Sequence, residues 1–193
     1  MKKGRLEAFS DGVVAILITI MILELRAPER TTLEALRPLL PMFLTYVLSF
    51  VYLGIYWNNH HHLLHATSRI NGAVLWANLH LLFWLSLVPF VTAWMGENHF
   101  APLPTAVYGA VMLASAIAYI VLQMTILRQE DNSRLARALG RDMKGKISLA
   151  LYAAAIPLAF LNQWISDAIY VAVALIWLVP DRRLEREIEA AQV

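Results

Sequence analysis

Three long segments without a charged side chain constrain this sequence more than any other feature. No Asp, Glu, Lys or Arg occurs in residues 38–68, 70–96 or 98–127. A helix needs about 20 apolar residues to cross a hydrocarbon core of about 30 Å, so each segment is long enough for one crossing. The composition agrees, because 59% of the residues are hydrophobic and only 16% are charged. These values exclude an ordinary soluble enzyme domain, in which about 25% of the residues are charged.

Two further regions predict three more crossings. Residues 6–25 are apolar apart from three carboxylates, of which Asp11 lies furthest from either end, and a few small polar side chains. Residues 147–180 contain a single carboxylate, Asp167, and fit two helices joined by a short turn near residues 162–163. We therefore expect an all-α membrane protein with six transmembrane helices per subunit.

The six helices are expected to form one domain over residues 1–193. The sequence shows no internal repeat, and the longest polar segment, residues 128–146, is too short to fold alone. We expect no cleavable signal peptide, because Asp11 interrupts the apolar segment and no small-residue cleavage site follows it.

The basic residues are divided unequally between the two sides of the predicted bundle. With the amino terminus inside, the outer segments contain only Arg26, Arg30 and Arg37. The remaining Lys and Arg residues fall on the inner side: Lys2, Lys3, Arg5, Arg69, Arg128, Arg134, Arg137, Arg141, Lys144, Lys146, Arg182, Arg183 and Arg186. Cytoplasmic segments are enriched in Lys and Arg, so both termini are expected in the cytoplasm.

The first helix is the least apolar of the six, and its acids constrain its position. Residues 12–23 are uncharged and cover about 18 Å of helix, less than the bilayer core of about 30 Å. Asp11, Glu24 or both must therefore lie at membrane depth. Carboxylates at that depth usually face protein or water. We expect Asp11 to be buried against its own subunit, whereas Glu24 fits the outer interface equally well.

The first helix also has an aliphatic stripe, formed by Ile16, Thr19, Ile20 and Leu23, which fall within an arc of about 100°. Asp11 lies about 140° from Ile16, almost on the opposite side. The pattern alone leaves three positions open for the stripe, which can face lipid, pack against helices or line a pore.

Polar side chains from three helices are predicted to share one depth on the cytoplasmic side. Counting about 1.5 Å per residue from the cytoplasmic ends places Ser10, Asp11, His60 and Asn78 at nearly the same level. Hydrogen bonds between such groups contribute about 0.6–2 kcal/mol each inside a membrane.

The histidine run His60, His61, His62 and His65 has one feature of a metal site. His61 and His65 have the four-residue spacing that zinc sites use, but no Glu of an H-E-x-x-H motif lies between them and the chain has no cysteine. We therefore expect a histidine cluster at the membrane interface and no metal. Because no catalytic, nucleotide-binding or carbonyl-filter motif occurs, we expect neither an enzyme nor a cofactor, and no nucleic-acid partner.

Several of these residues together resemble the transmembrane protein 175 family of potassium channels. Arg5 to Asp11 match the R-x-x-x-F-S-D signature of that family in the first helix. Trp57-Asn58-Asn59-His60, Asn78 and Pro89-Phe90 match further family positions in the second and third helices.

The resemblance implies a homotetramer of single-repeat subunits in the plasma membrane, with the first helices lining a pore for potassium ions. It assigns the pore constriction and selectivity to Ile16, Thr19, Ile20 and Leu23. It also implies a clamp that orients the pore helix, formed by Arg5, Phe9, Ser10, Asp11, His60 and Asn78. Because Asp11 points away from the stripe, it is not expected to coordinate permeant ions.

Two other functions remain open at this point. One is a proton-coupled transporter that uses Asp11 and His60 as a relay, although the sequence lacks the inverted repeats of many transporters. The other is an intramembrane hydrolase built on the histidine cluster.

The topology can be tested by labelling, since the chain has no native cysteine. A cysteine introduced at Ser133 is expected to lie in the cytoplasm. It should therefore resist an impermeant thiol reagent applied to intact cells and react once the cells are opened. Labelling from outside would contradict the orientation.

Overall fold

The computed structural model describes residues 3–65, 67, 70–128 and 143–178, and every regular element within them is a helix. The helices are α1 (Lys3–Leu23), a short 3-10 helix (Leu33–Leu39), α2 (Leu40–His65), α3 (Gly72–Ser86), α4 (Val88–Glu97), α5 (Pro102–Leu127), α6 (Met143–Leu158) and α7 (Gln163–Leu178). One residue separates α3 from α4, so the α-helices form six rods, and the predicted all-α architecture with six helical rods is confirmed.

Some of the basic residues used for the orientation lie outside the described residues. They are Lys2, Arg69, Arg134, Arg137, Arg141, Arg182, Arg183 and Arg186. Ser133, the proposed labelling position, also lies outside them.

Four of the rods are long and apolar enough to cross a membrane. They are Lys3–Leu23, Leu33–His65, Gly72–Glu97 and Pro102–Leu127. The last two rods, α6 and α7, contain 16 residues each, which corresponds to about 24 Å of helix. The described part of each of these two rods is therefore shorter than a hydrocarbon core of about 30 Å.

Proline and asparagine define the ends of several helices. The Asn71 side chain accepts a hydrogen bond from the backbone N–H of Val74 and caps the start of α3. Pro89 has no N–H, and its ring would clash with the carbonyl of Leu85 in a continuous helix, so the rod breaks at Leu87. The turn between α6 and α7 agrees with the sequence prediction.

Hydroxyl groups connect α2, α4, α5 and α7. The Ser49 hydroxyl lies 2.6 Å from that of Thr92 and 3.1 Å from that of Tyr108, which joins α2, α4 and α5. Tyr52 donates to the carbonyl of Tyr170 on α7 at 2.5 Å. Because lipid is as apolar as the helix surfaces, such hydrogen bonds and close packing hold membrane helices together. Against this frame α1 packs beside α2, α3 and α4.

Two glycines lie where a neighbouring helix approaches closely. A methyl group added at Gly96 would lie 2.8 Å from the Cα of Met42 on α2. A methyl group at Gly109 on α5 would collide with the hydroxyl of Tyr170, which donates to the carbonyl of Thr105 at 3.0 Å. These contacts require residues without a side chain.

Gly109→Ala is expected to lower stability by about 1–3 kcal/mol, because overpacking forces a buried neighbour to move. Thermal unfolding of the purified protein in detergent measures the effect. Gly54→Ala is the matched control, since a methyl group there meets no atom within 4 Å. Tyr170→Phe removes the hydroxyl group that the added methyl group would meet. Gly109→Ala should therefore lower stability less in a Tyr170→Phe protein than in the unmodified protein. Equal loss at positions 54 and 109 would contradict the packing described here.

Candidate functional site

The first helix has one buried face and one exposed face. The residues of the buried face recur every three or four positions along α1: Leu6, Ser10, Val14, Leu17 and Met21. On the other side, Ile16 is 58% exposed and Leu23 is 77% exposed, and Thr19 and Ile20 are also exposed. We call Ile16, Thr19, Ile20 and Leu23 the exposed stripe. Within a single subunit, the stripe does not pack into the helix bundle.

A chain of hydrogen bonds holds the buried face of α1. His60 Nε2 lies 2.6 Å from Asn78 Oδ1, and because an amide oxygen only accepts, the histidine donates. The Asn78 amide nitrogen donates to Ser10 Oγ at 3.0 Å, and Ser10 donates to the carbonyl of Leu6 at 2.9 Å. All three side chains are buried. The structure thus joins α1, α2 and α3 through three of the six residues proposed as a clamp.

Asp11 has a different partner from the one that its depth suggested. Its Oδ1 atom accepts a hydrogen bond from Trp57 Nε1 at 2.9 Å, and the residue is only half-buried. Adjacent residues on a helix point about 100° apart, and Asp11 contacts Trp57 whereas Ser10 contacts Asn78. The hypothesis of an Asp11–His60 relay is therefore not favoured, since their hydrogen bonds go to different residues.

The remaining two members of the proposed clamp lie elsewhere. Arg5 and Phe9 are both exposed on the subunit surface, with Phe9 52% exposed. At the same end of α1, Lys3 Nζ donates to the carbonyl of His65 at 2.7 Å. We define the α1 anchor as the residues that form these contacts with α2 and α3: Lys3, Ser10, Asp11, Trp57, His60, His65 and Asn78.

The sequence did not identify the two contacts that Lys3 and Trp57 make between α1 and α2. The sequence indicates Trp57 as a family match and as an aromatic residue near the end of a span, although it precedes His60 by about one helical turn and so lies near the same edge of α2. Nothing in the sequence separates Lys3 from its neighbour Lys2 as a hydrogen-bond donor.

The exposed stripe contains one polar group. Thr19 Oγ1 donates to the carbonyl of Ile16 at 2.8 Å, which uses its only hydrogen. The lone pairs of the oxygen remain available as acceptors on the exposed side of α1. Ile16 and Leu23 lie seven residues apart, about 10 Å along the helix, on either side of this hydroxyl.

The histidine cluster forms a stack of rings along α2. The ring centroids of Trp57 and His61 are 6.0 Å apart, and those of His61 and His65 are 6.1 Å apart, with small interplanar angles. His60 is separate from this stack because it faces Asn78. Within the part of the chain that the structure describes, no three His, Cys, Asp or Glu side chains are arranged to hold a metal ion.

This subunit is a multi-pass helical membrane protein in which polar contacts fix one helix and leave an aliphatic face of that helix uncovered. Residues 5–89 match the model of the TMEM175 family, described as the endosomal/lysosomal potassium channel TMEM175. The chain is 53% identical over 190 residues to a potassium channel of Chryseobacterium sp. (strain P1-3), covering 98% of this chain and 99% of that relative. The chain therefore belongs to the TMEM175 family, which consists of ion channels rather than enzymes.

A second relative and a solved structure agree. A potassium channel of Chamaesiphon minutus (strain ATCC 27169 / PCC 6605) is 30% identical over 187 residues, covering 89% of this chain and 91% of the relative. The crystal structure of a lysosomal potassium-selective channel TMEM175 homolog from Chamaesiphon minutus matches with a TM-score of 0.79 and 29% identity. That match covers 92% of this chain and 96% of the other.

Asn78→Ala is expected to destabilise the protein by about 1–3 kcal/mol, because it leaves the buried hydrogen of His60 without an acceptor. The loss should appear as a lower midpoint of thermal unfolding in detergent. Asn58→Ala, at an exposed position on α2, is the matched control and should leave the midpoint unchanged. An Asn78→Ala protein as stable as this control would show that the amide contributes nothing to anchoring α1.

Asp11→Ala is expected to reduce folding or assembly more than it alters ion preference, because it removes the acceptor of the Trp57 N–H. Yield, oligomeric state and the potassium-to-sodium flux ratio are the measurements. A well-assembled Asp11→Ala protein with normal flux and a changed ratio would instead make Asp11 an ion-binding residue.

Proposed function

We propose that this chain is one six-helix subunit of a homotetrameric, potassium-permeable cation channel, with four copies of α1 around a central axis. The observation that carries the proposal is the exposed stripe, which is opposite the α1 anchor, in a chain whose full-length relatives are named potassium channels. Potassium is then the transported ion, and the proposed mechanism uses no cofactor.

The exposed stripe supplies the constriction in this proposal. Four copies of Ile16 around an axis would form an aliphatic ring, and four copies of Leu23 would form a second ring nearer the outer end of α1. Such a ring cannot replace the hydration shell of an ion, so it acts as a barrier whose height depends on its width and wetting.

The hydroxyl of Thr19 lies between these rings and supplies the polar surface. Because its hydrogen is donated to the carbonyl of Ile16, the oxygen would present lone pairs to the axis. Four such oxygens can coordinate a partly dehydrated cation. Ile20, also exposed, would complete the apolar wall at this level.

The α1 anchor supplies the orientation of the pore helix. Hydrogen bonds to α2 and α3 resist rotation of α1 about its own axis, and the stripe stays directed away from the subunit. We further propose that the channel lies in the plasma membrane with both termini in the cytoplasm, on the basis of its basic residues.

Flux into liposomes that contain only this protein tests the channel. Potassium uptake down a gradient, faster than sodium uptake under the same conditions, is expected. Absence of flux for both ions in correctly assembled protein would contradict the channel.

The helix phase predicts which substitutions alter permeation. Ile16→Asn and Ile16→Ala should raise flux severalfold and weaken discrimination between potassium and sodium, since they wet or widen the first ring. Thr19→Val keeps the shape but removes the oxygen, so it should change the potassium-to-sodium ratio more than the total flux. Ile18→Ala is the matched control, because Ile18 packs partly against the subunit.

Each variant is compared at equal tetramer yield in the same liposome assay. If Ile18→Ala changed the flux while Ile16→Ala left it unaltered, α1 would present a different face to the axis. The pore assignment would then be wrong even if the protein conducts.

A further inference from the structure

Two contacts fix how α1 and α2 lie against each other at the end that carries the α1 anchor. Lys3 donates to the carbonyl of His65, and Asp11 accepts from Trp57. The two α1 residues are eight positions apart, and their two α2 partners are also eight positions apart in the opposite chain direction. Between these contacts the helices therefore run antiparallel in register, with one residue of α2 for each residue of α1.

Glu7 and His61 lie at the midpoint of this register. Glu7 is four residues from each end of the α1 segment, and His61 is four residues from each end of the α2 segment. Residues four apart are neighbours on one face of a helix. Glu7 is therefore on the side of α1 that meets α2, and His61 is at the same level on the side of α2 that meets α1.

The carboxylate of Glu7 is only partly satisfied in this position. Its Oε1 atom is shielded from solvent and has no hydrogen-bond partner among the described residues. A shielded acceptor without a donor is unfavourable, and more so when it carries charge. A donor from the facing helix would remove that cost.

The imidazole of His61 can supply the donor without leaving its ring stack. Its ring centroid lies 6.0 Å from that of Trp57 and 6.1 Å from that of His65. Stacking uses the faces of the ring, whereas the N–H bonds lie in the ring plane. His61 is also exposed, so its ring can exchange protons with the solution.

The titratable groups around His61 come from α1 and from α2 itself. They are Lys3, Glu7, Asp11, His60, His62 and His65. Lys3 and Asp11 already form hydrogen bonds with α2, and His60 is bonded to Asn78. Glu7 is thus the carboxylate of α1 that is left to pair with His61.

We propose that His61 donates a hydrogen bond to Glu7 Oε1, and that these two are further positioning residues for α1. The bond becomes charge-assisted when the imidazole is protonated, and such bonds are shorter and stronger than neutral ones. Because histidine changes its charge between about pH 5 and 8, α1 is held more firmly when the solution at this end is acidic. The contact lies within one subunit and does not depend on the proposed tetramer.

A double-mutant cycle of thermal unfolding in detergent tests the contact. Glu7→Leu and His61→Leu are measured alone and together at about pH 6 and about pH 8. At about pH 6 each single variant should lower the unfolding midpoint by about 2–4 °C, and the double variant should lose little more than one of them. Only the folded protein places the carboxylate beside the imidazolium, so this coupling should weaken as the pH rises and His61 loses its charge. Additive losses at both pH values would overturn the contact.

Two further variants separate the contact from a general weakening of α1. Glu7→Gln keeps an acceptor without the charge, so it should match the unmodified protein at about pH 8 and fall below it at about pH 6. His62→Leu is the matched control, because His62 points about 100° away from His61 and its loss should simply add to that of Glu7→Leu. A Glu7→Gln protein that follows the unmodified protein at both pH values would overturn the role of the charge.

Discussion

The amide of Asn78 is the contact on which the orientation of α1 depends. It accepts from His60 and donates to Ser10, so a single side chain joins three helices. Apolar faces alone fix the rotation of a membrane helix poorly, because neighbouring helices and lipid tails offer similar surroundings. Directional hydrogen bonds remove that freedom. Together with the Asp11–Trp57 contact, they determine which side of α1 faces the subunit and which side remains uncovered.

The frame that carries these polar groups is itself built from close contacts. Hydroxyls of Ser49, Thr92 and Tyr108 hold α2 against α4 and α5, while Gly96 lets α4 approach the backbone of α2. These contacts join α2 to the rod that α3 and α4 form, and so support the approach of α2 to α3 that the Asn78 bridge requires. The small residues and hydroxyls expected at membrane helix interfaces therefore support the orientation of α1.

The sequence predicted the parts of this arrangement that depend on length and period. Apolar segments predicted the six rods, and a count of residues from the cytoplasmic ends placed Ser10, His60 and Asn78 at one depth. The partner of Asp11 was missed because depth alone does not fix the direction of a side chain around a helix. Lys3 could not be identified either, since its acceptor is a backbone carbonyl at the end of α2 and leaves no signal in side-chain type.

The contacts of α1 differ along its length, and this difference affects the two rings of the proposed channel differently. The hydrogen bonds from α1 to α2 and α3 occur at Lys3, Ser10 and Asp11, within the first half of the helix. Beyond them the buried side chains of α1 are apolar, with Met21 beside a small cavity lined by Met42 and Tyr46 among others. Leu23 lies about 20 Å from Ser10 along the helix, so a small tilt about the anchored end moves Leu23 further than Ile16. In the proposed channel, the ring nearer the anchor would therefore keep a fixed width, and the outer ring would be the one whose width varies.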